Sequence, residues 1–227
     1  MRKLSIVLLG LILLMGVKKY ENGFRPTEHW DTIDAPRRWR KPRMIFVNSM
    51  SDLFHPKFSP EFVEAVFKTM RECPQHIFQV LTKRPMEIAG IGGAFLSLQL
   101  YKEGNWPQNV WLGTSIEDHY QIRRAGIIAI VPAPVRFLSC EPLLGPLPTD
   151  DLRKMLSKSI HWVIVGGESG PGARPMNADW VREIRDCCQE AAVPFFFKQW
   201  GGVQKHRRGC TLDGRTWTEL PFAPPAD

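Results

Sequence analysis

The chain has 227 residues, which suits one domain with short extensions and allows a sizeable core. Hydrophobic residues at 44% and charged residues at 23% exclude wholesale disorder. A net charge of +7 suits a polyanionic partner, nucleic acid or a phosphorylated small molecule, although many basic proteins bind neither.

The chain opens on Met1-Arg2-Lys3 and an apolar run from Leu4 to Val17, which has the form of a secretory n- and h-region. No small-residue cleavage site follows, and the run is shorter than the ~20 residues of a membrane span. A buried first element, a mis-set start or membrane association each accounts for it. The rest of the chain reads as cytoplasmic. Its five cysteines, Cys73, Cys140, Cys187, Cys188 and Cys210, are odd in number and contain no Cys-x-x-Cys or zinc-finger spacing. They predict no metal site. The segments divide as 1–17, an apolar N-terminal stretch; 18–202, the main domain; and 203–227, a basic and then proline-rich tail.

Six short apolar runs follow in order: Met44–Asn48, Ile77–Leu81, Val110–Gly113, Val135–Ser139, Trp162–Gly166 and Pro194–Lys198. Their length and their β-branched and aromatic content predict buried strands. Their starts lie 25 to 33 residues apart, room for one helix and two loops. That is the spacing of βα units with parallel strands, so the expected class is α/β, a partial (β/α) TIM-type barrel. Ser59-Pro60-Glu61 predicts a helix start, with Phe62, Val63, Val66, Phe67 and Met70 as its apolar stripe. Asn177 caps a second helix whose buried face holds Trp180, Val181, Ile184, Cys187, Cys188 and Ala191. Pro85–Leu100 is a weaker helical stretch, interrupted by Gly90, Gly92 and Gly93. The tail from Val203 is expected to end irregularly.

In such folds sites form at the C-terminal ends of strands, and here those ends are polar. They supply Asn48, Ser49 and Asp52; Lys83 and Arg84; Ser115 and Glu117; Glu141; Gly166, Gly167, Glu168 and Arg174; and Lys198 and Gln199. Glu141, Glu168 and Lys198 are the candidates for catalysis, and the others for ligand binding. Asn48 and Ser49 would hydrogen-bond a ligand, while Lys83, Arg84 and Lys198 would neutralise phosphate or carboxylate. Emergence into water and helix capping explain part of this polarity. They explain poorly Glu141, which lies between Cys140 and Pro142, and Gln199, which closely follows three phenylalanines. The glycine-rich run from Gly167 to Arg174 could hold an anion with its amides and Arg174, or could simply turn tightly. Cys140 reads as packing rather than a nucleophile, and His55 and His119 as surface or capping residues. Two basic stretches stand apart, Arg37, Arg38, Trp39, Arg40 and Arg43 before the first strand and Lys205–Arg208 after the last. Cations interleaved with an aromatic ring suit phosphate contact and base stacking; a solvated loop is the alternative.

Several of these motifs resemble one family. They are Phe46–His55, Phe78–Pro85, Asn109–Gly113, Arg136–Gly145, Trp162–Met176 and Phe195–Gly201. Together they are similar to the phage gp-thirty-seven/sixty-eight type, three-Cys-motif and radical-SAM-like proteins of unknown function. The resemblance implies a radical-SAM-like partial barrel of phage or prophage origin. In complete members it implies S-adenosylmethionine and a [4Fe-4S] cluster on an N-terminal three-cysteine motif. Here Leu4–Leu14 stands where that motif would lie, with no cysteine before Cys73. A mis-set start, a frameshift or degeneration would each give this picture, and the chain as written is expected to lack the cluster. Its activity as an enzyme stays open for that reason.

The first functional expectation is a protein acting on nucleic acid or a nucleotide. Two alternatives stand beside it. One is a non-catalytic nucleic-acid-binding or assembly module, with a protein partner encoded nearby. The other is a hydrolase using paired strand-end carboxylates.

Overall fold

The computed structural model describes residues 25–47, 51–88, 106–203 and 209–221. The Leu4–Val17 run, Asn48, Ser49, the part of the Pro85–Leu100 stretch beyond Ile88, and Lys205–Arg208 lie outside the described residues.

Six strands form one sheet in chain order: β1 (Met44–Val47), β2 (Ile77–Thr82), β3 (Val110–Ser115), β4 (Arg136–Cys140), β5 (Trp162–Gly166) and β6 (Phe195–Gln199). They fall on the six apolar runs, with ends that differ by a residue or two. Helices alternate with the strands: α1 (Pro60–Glu72), α2 (Pro85–Ile88), α3 (Arg123–Ile128), α4 (Thr149–Leu156) and α5 (Ala178–Glu190). This is the expected α/β fold, a partial (β/α) TIM-type barrel with parallel strands. The chain gathers into two compact units, one of residues up to Gly113 with Val131–Pro134, the other of Thr114–Ile130 with the chain from Val135.

In the first unit β1 and β2 pair in parallel, with Met44 opposite Ile77 and Val47 opposite Val80. The Ser59 hydroxyl caps α1 by accepting from the Phe62 N–H at 3.3 Å, and Pro60 takes the first helical position. The helix buries Phe62, Val63, Phe67 and Met70, while Val66 is half-buried at the margin of the stripe. Phe67 meets the edge of the buried Trp106 ring at 5.4 Å between centroids. At the helix end the Asn109 amide donates to the carbonyls of Met70, Cys73 and His76, at 2.8, 3.0 and 3.1 Å. These acceptors lie at and just beyond the helix C-terminus, where backbone carbonyls lack helical partners.

In the second unit β4 pairs with β5 and β5 with β6, all in parallel. Every residue of β5 is buried, as its unbroken apolar run requires. Asn177 caps α5 through the Asp179 N–H at 2.9 Å, and Val181, Ile184, Cys187 and Cys188 face the core. Trp180 and Ala191 are only half-buried. The two adjacent cysteines thus serve as packing.

One segment departs from expectation. Beyond Val203 the described residues form an ordered hairpin, β7 (Thr211–Leu212) with β8 (Arg215–Thr216), rather than an irregular end. Its turn is Asp213-Gly214, both at positive φ (52° and 76°), as the primed turns of tight hairpins require. The following residues run along the outer edge of β6, where the Phe197 N–H donates to the Trp217 carbonyl at 2.8 Å. Among the described residues no helix is long and apolar enough to cross a membrane.

Candidate functional site

At the strand ends of the first unit, Asp52 gathers the residues that follow β2. Its carboxylate accepts from the Thr82 hydroxyl at 2.8 Å, the Lys83 N–H at 2.9 Å, the Phe54 N–H at 3.1 Å and Arg84 Nη1 at 3.2 Å. The Thr82 hydroxyl in turn accepts from the Arg84 N–H at 2.8 Å. Asp52, Lys83 and Arg84 are therefore brought together as read from sequence. Asp52 occupies its acceptors in fixing the backbone that carries the two cations, and the Lys83 side chain projects to the surface.

The basic stretch before β1 belongs to the same unit. Arg37 is bound by Asp34 and by Glu72, whose Oε2 lies 2.6 Å from Nη2. Arg43 lies over the Trp39 ring at 4.5 Å, and that ring meets His76 edge-on at 6.0 Å. Two of the predicted cations are thus anchors. Arg38, Arg40 and Lys41 remain exposed.

The second unit holds the most developed constellation. Glu141 leaves the end of β4 and is four-fifths buried. Its Oε1 accepts from the Ser139 hydroxyl at 3.2 Å, and its Oε2 lies 2.7 Å from Lys198 Nζ on β6. Between them β5 ends on Gly166, where a β-carbon would stand 3.0 Å from Glu141 Oε2. Three neighbouring strands so bring together a carboxylate, a glycine that leaves room for it, and an ammonium. Glu117, after β3, is paired separately with Arg124 at 3.1 Å, and Arg124 also donates to the Ser115 carbonyl at 2.8 Å. Sequence reasoning missed Arg124 as this partner, because Glu117 lies in the loop before α3 and no regular spacing links the two. Ser115 itself is buried.

Glu168 does not join Glu141. Arg174 grips it with two side-chain bonds of 2.8 Å and with its own N–H at 2.9 Å, which holds the Glu168 carboxyl down from an ordinary 4.5 to about 2. Arg174 is committed to this contact rather than presented to an anion. Gly167 serves the backbone, since a β-carbon there would fall 2.0 Å from the Trp200 carbonyl oxygen. Gln199 donates to the Ser169 hydroxyl at 2.7 Å.

A family model described as a protein of unknown function (DUF5131) matches residues 14–221. The chain belongs to the DUF5131 family. Comparison with curated proteins and with solved structures returns no match. For this DUF5131 chain the iron-sulfur cluster implied by the radical-SAM-like resemblance can be tested against the cysteines present. Cys73, Cys140, Cys187 and Cys188 are buried and Cys210 is exposed. Burial pushes the Cys140 thiol far up, with Glu141 and Glu117 adding to it, and burial does the same to Cys188. Such thiols stay protonated, whereas cluster ligation needs thiolates. Among the described residues no three His, Cys, Asp or Glu side chains gather to hold a metal ion. The cysteines present do not fit the cluster.

Proposed function

We propose that this protein binds nucleic acid or a nucleotide, with the basic stretch before β1 as a phosphate-contacting surface, in keeping with its resemblance to radical-SAM-like phage proteins. On this reading the polypeptide acts by binding, without cluster chemistry from its own cysteines. The observation that carries it is the division of labour in the stretch before β1. Arg37 and Arg43 are spent on Glu72 and Trp39, which fixes the segment and leaves Arg38, Arg40 and Lys41 exposed. Cations held on an anchored backbone are pre-organised for phosphates and release counterions when they bind them. The net charge of +7 agrees in sign. The hydrolase alternative is weaker: its candidate Glu168 is held ionised by Arg174 and cannot serve as a general acid near neutral pH.

The test is fluorescence anisotropy with short single- and double-stranded oligonucleotides across a salt series. Replacing Arg38, Arg40 and Lys41 by alanine should weaken binding by about tenfold or more at low salt, and flatten the slope of log affinity against log salt by about 2 to 3. Equal affinity and slope in the two proteins would remove the proposal.

A further inference from the structure

We infer that the Glu141–Lys198 centre reads the Watson–Crick edge of guanine. The inference rests on the nucleotide reading above and names the base that reading leaves open.

Glu141 Oε1, Glu141 Oε2 and Lys198 Nζ follow one another, the last two 2.7 Å apart. Chemically the succession is acceptor, acceptor, donor. The edge of guanine presents its complement: the 2-amino group and N1–H are donors, and O6 beside them is an acceptor. Adenine and cytosine each offer one amino donor beside a ring acceptor, and uracil a single N–H between two carbonyls. None of these satisfies both carboxylate oxygens and the ammonium together.

Capacity for this contact remains after the internal bonds are made. Oε1 takes one hydrogen, from Ser139, and an sp² oxygen accepts two. The Lys198 ammonium has three hydrogens and contacts Glu141 with one. Access also exists, since the Lys198 side chain is 45% exposed and that of Glu141 20%. Gly166 matters to the same edge, because a side chain there would press on Oε2. The pairing of Glu141 with Lys198 and Ser139 fixes the carboxylate plane, so a base meets an ordered edge rather than one that must be ordered on binding. The pair is neutral in sum, and a neutral base edge suits it better than a carboxylate, which would be repelled by Glu141.

The test uses the full chain and calorimetric titration with GMP, IMP, AMP, CMP and UMP. IMP keeps N1–H and O6 but lacks the 2-amino donor. GMP should bind at least about tenfold tighter than AMP, CMP or UMP, and several-fold tighter than IMP. Glu141→Gln and Lys198→Met, both close in shape to the residues replaced, should abolish the preference for GMP over AMP. A second arm compares a ten-residue oligothymidylate with the same strand carrying one central dG or dA. A dG preference there without GMP binding would assign the site to guanine within a strand; GMP binding alone would assign it to the free nucleotide. Both support the inference. If nucleotides or strands bind with no preference for guanine, or if the preference survives both substitutions, the guanine reading falls while the binding proposal stands. If no nucleotide or strand binds at low salt, both fall together.

Discussion

Arg174 reaches Glu168 three times, twice through its guanidinium and once through its backbone N–H. Each contact favours the ionised carboxylate, and together they outweigh the opposing effect of burial, so the result is a carboxyl held at about 2. A folded value below the unfolded one means that this group stabilises the fold above about pH 4.5 and that the contribution fades as pH falls through about 2. Carboxyl titration followed by NMR should place the Glu168 midpoint near 2 in the native protein. In Arg174→Leu, which loses both guanidinium bonds and keeps the backbone N–H, the midpoint should rise toward 4.5. A midpoint near 4.5 in the unaltered protein would mean that the grip is absent in solution. Lys198 stands in contrast at this scale. Its one carboxylate contact leaves it two free hydrogens, which is why the proposed ligand contact is placed at Glu141 and Lys198 rather than at Glu168 and Arg174.

At the scale of elements, the ends of β5 and β6 are joined by backbone rather than by side chains. Gly167 N–H donates to the Gln199 carbonyl at 2.9 Å, and Gly202 N–H to the Glu168 carbonyl at 2.6 Å. The two segments pass so closely that a β-carbon on Gly167 would overlap the Trp200 carbonyl, and one on Gly201 the Glu168 carbonyl. Neither obstacle is the flexible tip of a side chain, so neither can move aside cheaply. Gly167→Ala should therefore cost about 3 kcal/mol in chemical denaturation, the upper range for overpacking by one methyl group. A loss below about 1 kcal/mol would show that the crossing relaxes. This crossing also bears on the candidate site, because it ties together the ends of β5 and β6 just beyond the register shift that pairs Gly166, the close neighbour of Glu141, with Gln199.

Across the whole molecule, what could be read from the chain was what is written locally. The six strands were legible because each carries a short run rich in apolar residues, wholly buried in β3 and β5 and partly so in the others. Both helix caps were legible because serine, asparagine and proline act within a single turn. Glu141 was legible as an oddity, a carboxylate following a buried strand. Its partner was not, because the 2.7 Å contact joins β4 to β6 and no local spacing encodes it. Arg174 was legible as a cation near glycines, but its commitment to Glu168 depends on how that loop folds back. The hairpin after β6 could have been found, since Leu212-Asp213-Gly214-Arg215 carries the Asp-Gly signal of a primed turn. Two-residue strands give too little alternation to draw the eye to it.

That hairpin gives the second unit part of its core. Trp217 is buried against Phe195 at 5.8 Å, with the Arg215 guanidinium 4.0 Å over its ring and Arg185 at 5.6 Å. Asp213 in the turn is gripped by Arg182 and Arg185, which pull its carboxyl down to about 2 and tie the hairpin to α5. Glu219 accepts from the Phe195 N–H at 3.0 Å, and its carbonyl from the Trp162 ring N–H at 2.8 Å. The returning segment thus covers an edge of β6 that would otherwise present unpaired backbone. Trp217→Ala removes a large buried ring and should cost about 3 to 5 kcal/mol in denaturant titration. Hydrogen exchange separates this packing role from a general loss of fold. The Phe195 and Phe197 amides, which donate to Glu219 and to the Trp217 carbonyl, should lose protection first. The Val181–Glu190 amides, held within α5, should outlast them. Equal protection at Phe197 in the two proteins would mean that β6 keeps its edge without this cover.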